Sequence, residues 1–388
     1  MPPIPLLLSA GEASGDMYAA RLATALKQRL DVAIFGMGGP QMRAAGVEII
    51  TDYSEVSVVG ITEVLRRLPS LRRAMQRLVD EAELRRPPLA ILTDFPGFHL
   101  RLARKLRSKG IRNVYYICPQ FWAWRPWRAN LVRRRFAQAL CIFHFEEEFY
   151  ANAGVPVKFI GHPLVGNVAA TLTREEFCKK YGLRDAGRLI AVLPGSRHGE
   201  IAYHVPVLAE ALERIGRDLS GKTDVVVAVA PGLDLARLKA KFPEQMSVHF
   251  IEGDTYNAVA ASDLAIVSSG TATVETALLG KPMVVVYRLS PLTATLAKPL
   301  VKTKFFSMVN LIAGRAVVSE LIQDDFTPQR VAEEALKLLS GSEESKMRLE
   351  QISQGLAQVR ELLGPPGAVE RAADAIAALL QSGESNAK

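Results

Sequence analysis

AIVSSGTATVETALLGKPMVVVY, residues 265–287, decides the fold. An apolar strand (Ala265, Ile266, Val267) gives way to Ser268-Ser269-Gly270-Thr271, whose small side chains leave the backbone open to a ligand. A helix follows. Its first turn offers unpaired N–H groups and the positive end of the helix dipole, a setting suited to a diphosphate. Ser269, Gly270, Thr271, Ala272 and Thr273 are therefore expected to meet phosphate oxygens. Glu275, one turn further on, is placed to accept hydrogen bonds from two neighbouring ribose hydroxyls. Gly280-Lys281-Pro282 ends the helix, and residues 283–286 read as the next buried strand. The plainer alternative is an ordinary strand–turn–helix with a small-residue turn.

The same alternation extends outward in both directions. Upstream, residues 189–193 form a strand leading into Pro194-Gly195-Ser196-Arg197 and a helix. Ser196 and Arg197 stand at that strand's end, where a guanidinium either stabilises a departing diphosphate or is simply a surface arginine at a helix start. At the beginning of the chain, residues 6–8 form a strand that enters Ser9-Ala10-Gly11-Glu12-Ala13-Ser14-Gly15-Asp16, with a helix expected over 17–30. Gly11 and Glu12 thus occupy a second glycine-rich turn, which does not match the GxGxxG dinucleotide fingerprint. Residues 89–93 form a strand ending in Asp94-Phe95-Pro96-Gly97-Phe98. A lone acid there is either a general base facing a ligand or the N-cap of the next helix. Repeated strand–helix units imply parallel sheets with ligands gathered at the carboxyl ends of their strands.

At 388 residues, half of them apolar, the chain is long enough for about two domains with sizeable cores. No apolar run approaches the roughly 18 residues of a membrane span, and the start lacks a signal peptide's basic head, so a cytoplasmic protein is expected. Cys118, Cys141 and Cys178 fit neither a disulfide framework nor a zinc site and read as buried thiols. Residues 1–165 hold 23 Lys/Arg against 14 Asp/Glu, and residues 166–388 hold 25 against 26, so the whole +8 excess lies in the first part. Two segments there stand out. Over residues 56–79, Val64, Leu65, Leu68, Leu71 and Met75 interleave at helical spacing with Arg66, Arg67, Arg72 and Arg73. That pattern suits a segment lying on an anionic lipid surface, or a core helix with a solvated basic face. All three tryptophans fall in Phe121-Trp122-Ala123-Trp124-Arg125-Pro126-Trp127, a loop suited to lipid, sugar or single-stranded nucleic acid. Glu146-Glu147-Glu148 opens a helix where acid is favoured by the dipole, and His162 reads as structural.

Taken together, SAGEASGD (9–16), GMGG (36–39), DFPGF (94–98), FWAWR (121–125), GHPL (161–164), LPGSR (193–197) and SGTATVE (269–275) resemble the lipid-A-disaccharide synthases, over nearly the whole chain. Departures are local: His144, Val309 and Ser319 replace prolines usual in that family, and Gly166 replaces an Asp.

The resemblance implies a GT-B glycosyltransferase: two Rossmann-like βα domains facing a cleft. Residues 1–165 would bind acceptor and lipid, joined by C-terminal helices from 341–388, and residues 166–340 would bind the UDP-sugar. It implies transfer of 2,3-diacylglucosamine from its UDP ester to the 6-hydroxyl of 2,3-diacylglucosamine 1-phosphate, giving a β-1,6-linked disaccharide and UDP with inversion. Asp94 would be the base, with Glu12 as another candidate, and Arg197 would neutralise the leaving diphosphate. Asn310 matches a family position near the donor. No Asp-x-Asp triplet is present, and neither metal nor cofactor is expected. The implied partners are the two glycolipids and an anionic inner-membrane surface, with a homodimer as an option and nucleic acid excluded. A UDP-N-acetylglucosamine 2-epimerase has the same build and a similar Gly-Thr then Glu motif, but needs no arginine-rich apolar segment. A nucleic-acid-binding protein accounts for the basic first part but not for the donor-type motif.

Overall fold

A computed structural model describes residues 2–56, 61–185, 187–219, 223–230, 232–242, 247–290 and 303–385; for 61–67, 198 and 382–385 it describes the backbone only. The chain divides into two compact units, one of Met1–Val165 with Leu363–Lys388, the other of Gly166–Leu362. Each contains a parallel α/β sheet. In the first unit the order is β3-β2-β1-β4-β5-β6-β7, with β1 Ile4–Ala10, β2 Val32–Gly38, β3 Glu48–Asp52, β4 Leu89–Thr93, β5 Arg112–Tyr116, β6 Gln138–Cys141 and β7 Val157–Phe159. In the second it is β10-β9-β8-β11-β12-β13, with β8 Arg188–Leu193, β9 Thr223–Val229, β10 Val248–Glu252, β11 Leu264–Ser268, β12 Met283–Tyr287 and β13 Ser319–Ile322.

The central strands are continuous apolar runs because helices cover both faces. LAILT in β4 and LAIVS in β11 are buried at every residue. In each sheet the strand order reverses once. The reversal falls between β1 and β4 in the first unit and between β8 and β11 in the second. Open α/β sheets bind ligands at such switch points, beyond the carboxyl ends of the strands. The four motifs that drew attention in the sequence leave these four strands.

Three elements differ from the sequence expectation. The first helix begins at Ala13 and runs to Lys27, so Ser14-Gly15-Asp16 lies inside it and not in a preceding turn. The cause is Asp16, whose buried carboxylate accepts from the backbone N–H groups of Gly39 (2.7 Å), Gln41 (3.0 Å) and Met42 (3.2 Å), capping the short helix Pro40–Ala44. The C-terminal region also divides. The helix Glu343–Leu362 belongs to the second unit, and of the C-terminal helices only Ala368–Ser385 rejoins the first. Gly355 explains the former, since a Cβ there would come within 2.5 Å of the Val317 side chain, which instead packs directly on the helix backbone. Third, Glu146 lies in the first turn of the helix His144–Asn152 as expected, but its surroundings were not legible from the acidic run. It is fully buried.

Candidate functional site

The register of β1 against β4 sets Ala10 opposite Thr93, so Gly11-Glu12 and Asp94-Phe95 leave the first sheet side by side. Phe95 lies against Gly11, where a Cβ would come within 2.3 Å of its ring, so no larger residue fits at position 11. Glu12 is the N-cap residue of the helix Ala13–Lys27. Asp94 and Phe95 both adopt left-handed backbone, with φ of 48° and 45°. Each such residue without glycine's freedom costs about 1–3 kcal/mol and persists only where its surroundings enforce it.

The enforcement is visible. The Asp94 carbonyl accepts from the Tyr115 hydroxyl (3.0 Å) and from His99 Nδ1 (2.8 Å), and the Asp94 N–H donates to the Tyr116 carbonyl. A carbonyl only accepts, so His99 carries its proton on Nδ1, and Nε2 accepts from the Ser9 hydroxyl at 2.8 Å. Burial lowers the His99 pKa to about 4, keeping the ring neutral. By residue type, Ser9, His99 and Asp94 look like a hydrolase triad. The imidazole, however, meets the Asp94 backbone and not its carboxylate, and Ser9 and His99 are fully buried. The array braces the Asp94 backbone just past the end of β4, and the Asp94 side chain is half-buried.

In the second unit, Val267 lies opposite Leu193, so Pro194-Gly195-Ser196-Arg197 and Ser269-Gly270-Thr271 flank one switch point. Glu200 organises the first of these loops. Its Oε2 accepts from the N–H groups of Ser196 (3.0 Å) and Arg197 (3.3 Å), and its Oε1 from Arg197 Nη1 (3.1 Å). Gly270 is the N-cap of the helix Thr271–Leu278. Ser269 Oγ donates to the Phe306 carbonyl and Thr273 Oγ1 to that of Gly270, so these hydroxyls hold the loop in shape. Gly270 and Thr271 are exposed and Ala272 is half-buried, whereas the N–H groups of Ser269 and Thr273, both expected to meet phosphate, donate to the Val286 and Gly270 carbonyls, which leaves Gly270, Thr271 and Ala272 for a ligand. Glu275 is half-buried; its Oε1 accepts from the Tyr256 hydroxyl at 2.9 Å, and burial raises its pKa.

The side chain of Asn310, expected near the donor, is engaged within the fold. Its amide oxygen accepts from the N–H groups of Val317 (2.7 Å) and Val318 (3.0 Å), and its nitrogen donates to Val318 O (2.9 Å) and Glu320 Oε1 (2.8 Å). An asparagine side chain has two donors and two acceptor positions, and all are engaged. Asn310 is buried bracing for the 317–320 segment.

Two residues gave no warning in the sequence. His204 is fully buried; Nδ1 donates to the Pro194 carbonyl (2.8 Å) and Nε2 accepts from the Arg288 N–H (2.9 Å), tying the Arg197 loop to the end of β12. A lone histidine in an otherwise apolar stretch was its only signal. Glu146 accepts from Trp122 Nε1 at 3.1 Å through Oε1, while Oε2 is buried without a hydrogen-bond partner. Burial raises its pKa to about 8. Its acidic run pointed only to a helix start.

The arginine-rich segment forms the helix Ile61–Arg85. Leu68, Arg72 and Arg73 are exposed, whereas Leu71 and Met75, expected among the lipid contacts, are partly buried and pack against the first unit's core, because the helix turns that face inward. The side chains of Val64, Leu65, Arg66 and Arg67, and residues 291–302, lie outside the described residues. Among the described residues no helix is long and apolar enough to cross a membrane, and no three His, Cys, Asp or Glu side chains cluster as metal ligands. His162 is buried, and its Nδ1 accepts from the Leu164 N–H. The three cysteines are free and buried.

A family model described as Lipid-A-disaccharide synthetase matches residues 6–363. The lipid-A-disaccharide synthase of Solibacter usitatus (strain Ellin6076) is 46% identical over 381 residues, which cover 97% of each chain. Among solved structures, the UDP-GlcNAc 2-epimerase of Neisseria meningitidis bound to UDP-GlcNAc aligns with a TM-score of 0.66 at 10% identity, covering 98% of this chain and 100% of that one. CalG4, the calicheamicin glycosyltransferase, aligns with a TM-score of 0.59 at 17% identity, covering 98% and 99%. Epimerase and glycosyltransferase thus share this fold, and the fold alone does not choose between them. The sequence matches do.

Proposed function

The chain belongs to the lipid-A-disaccharide synthase family of glycosyltransferases, and on that premise we propose how its residues divide the transfer of a 2,3-diacylglucosamine unit from its UDP ester to 2,3-diacylglucosamine 1-phosphate. The observation that carries the division is the placement of one motif pair at each sheet's switch point. Gly11-Glu12 with Asp94 lie in the first unit, and Ser196-Arg197 with Gly270–Glu275 in the second.

Asp94 accepts the proton of the acceptor's 6-hydroxyl as that oxygen attacks the anomeric carbon. The carbon–oxygen bond to the diphosphate breaks on the opposite face, which inverts the α-linked donor to a β-product. UDP leaves carrying the electron pair. Its charge is met by the Arg197 guanidinium and the N–H groups opening the helix Thr271–Leu278. Glu275 holds the ribose hydroxyls, and Tyr256 fixes the orientation of its carboxylate. Asn310 and His204 keep the surrounding loops in register without touching substrate. UDP release measured with and without the diacylglucosamine phosphate acceptor tests the reading. An acceptor-independent conversion of a water-soluble UDP-sugar would point instead to the epimerase class.

Glu275→Ala is expected to weaken UDP binding by about 10- to 100-fold, the range of a lost charged hydrogen bond, with acceptor binding unchanged. Calorimetry with UDP checks it, and unaltered affinity would make Glu275 purely structural.

The helix Ile61–Arg85 supplies the contact with an anionic inner-membrane surface, through exposed Leu68, Arg72 and Arg73. Arginines near such a surface contribute about 1 kcal/mol each. Arg72→Gln with Arg73→Gln should therefore weaken sedimentation with anionic vesicles roughly 30-fold at low salt, and less as salt screens the charges. UDP affinity should not change. A double variant that sediments like the parent would leave this helix as ordinary packing.

A further inference from the structure

A concave groove of about 650 Å³ lies on the first unit, lined by one face of the helix Pro96–Ser108 and by residues 127–135. Gly97, Leu100, Arg101, Arg104, Lys105 and Ser108 form its floor at helical spacing, a span of about 17 Å at 1.5 Å per residue. Arg128 and Arg135 stand on the other wall, and Met75, Leu100, Trp127 and Leu131 supply apolar surface. No carboxylate lines the groove. Among the described residues none of Arg101, Arg104, Lys105, Arg128 and Arg135 forms an ion pair with an acid, unlike the many paired arginines elsewhere in the unit, such as Arg85 with Glu48 and Glu81. Arg128 stacks over the rings of Phe121, Trp124 and Trp127, and its Nε is buried with no hydrogen-bond partner. Burial and mutual repulsion depress the pKa values of Arg128 and Arg135, each crowded by Arg101. Five cations without an acidic partner thus lie beside an apolar wall, two of them, Arg101 and Arg135, each donating to a backbone carbonyl of the helix Pro96–Ser108.

We propose that this groove binds the acceptor glycolipid, its 1-phosphate among Arg101, Arg104, Lys105 and Arg128 and an acyl chain along Leu100, Trp127 and Leu131. The inference rests on the transferase reading and assigns the acceptor's place within it. Pro96 and Gly97, at one end of the groove, follow Asp94 in the chain by two and three residues, and the proposal seats the sugar at that end with its phosphate further down the helix. A phosphomonoester carries about −1.5 to −2 charge at neutral pH and matches a cluster of guanidinium groups.

The test is Arg104→Gln with Lys105→Gln, both exposed and free of structural hydrogen bonds among the described residues. Two acceptors are compared in detergent micelles: 2,3-diacylglucosamine 1-phosphate and the same glycolipid without its phosphate. The double variant should bind the phosphorylated acceptor about 10- to 100-fold more weakly and raise its KM to match, with kcat and donor KM unchanged. Binding of the phosphate-free glycolipid should be the same in parent and variant. Unchanged affinity for the phosphorylated acceptor, or equal loss for both glycolipids, overturns the proposal. Loss of sedimentation with phosphatidylglycerol vesicles while acceptor affinity is retained overturns it too, assigning the cations to membrane headgroups. Equilibrium binding decides the groove independently of turnover. A parent that binds the phosphorylated acceptor through these cations yet releases no UDP would sink the transferase reading and leave the groove standing. A parent that fails to bind it sinks the groove.

Discussion

Asp94→Asn is expected to lower transfer by about 10²- to 10⁴-fold, the usual cost of losing a general base, while UDP affinity and thermal stability stay at parental values. Stability should hold because the bonds that enforce the strained turn run to the Asp94 backbone: Tyr115 and His99 donate to its carbonyl, and its N–H donates to Tyr116. Asparagine tolerates left-handed backbone at least as well as aspartate does. UDP affinity should hold because the diphosphate and ribose contacts proposed here come from the other unit. The loss should appear in kcat with little change in acceptor KM. Single-turnover UDP release checks the chemical step directly. A variant with near-normal turnover would move the base to another group, Glu12 being the nearest acid on the neighbouring loop.

Glu146→Gln is expected to change how stability depends on pH. Burial raises the Glu146 pKa to about 8 from an ordinary 4.5, so the folded chain holds a proton that the unfolded chain releases. The stability associated with that proton is full below about pH 4.5 and declines as pH rises through the folded value. By pH 7 the decline reaches about 3 kcal/mol. Glutamine is neutral throughout, keeps an oxygen for Trp122 Nε1, and places an N–H where the protonated acid places an O–H. Parent and variant should therefore match near pH 4.5, and the variant should lead by about 3 kcal/mol at pH 7. The buried histidines work in the opposite direction. His99 and His162, lowered to about 4 and 3, contribute stability that is present above about pH 6.5 and is lost as pH falls. Those contributions cancel between parent and variant. Denaturant unfolding across pH 4.5–7.5 gives the comparison, and parallel curves would show that Glu146 ionises normally.

Much of the fold was legible because buried parallel strands must be apolar at every position and their connections must turn on small residues. LAILT and LAIVS announce themselves, as do the glycine-rich turns that follow β1, β8 and β11. What the sequence concealed depends on contacts between distant residues. Asp16 looked like part of a loop because its helix-capping partners lie more than twenty residues away. Glu146 read as an acid at a helix start, and nothing within its own run marks it as enclosed beside Trp122, more than twenty residues earlier. His99 reads as an ordinary helical residue until Ser9, ninety positions earlier, is seen against its ring. Asn310 carried the right residue type for a ligand contact, and its neighbours had already engaged every donor and acceptor it has.

The first unit is closed by its last element. The helix Ala368–Ser385 packs on Ala13–Lys27; Arg29 pairs with Asp374 at 2.7 Å, and Arg371 Nε donates to the Ile160 carbonyl. A ribosome that has released residue 165 has therefore released a sheet with one helical cover missing, and the cover emerges only after the entire second unit. Long excursions of this kind add little to the equilibrium cost of closure, which grows only as the logarithm of loop length, but they delay it. During synthesis the nascent first unit presents the apolar face that Ala372, Ala373 and Ile376 will later seal, while the second unit, continuous from Gly166 to Leu362, is free to fold on its own schedule. Chains truncated before residue 368 carry that unsealed face permanently.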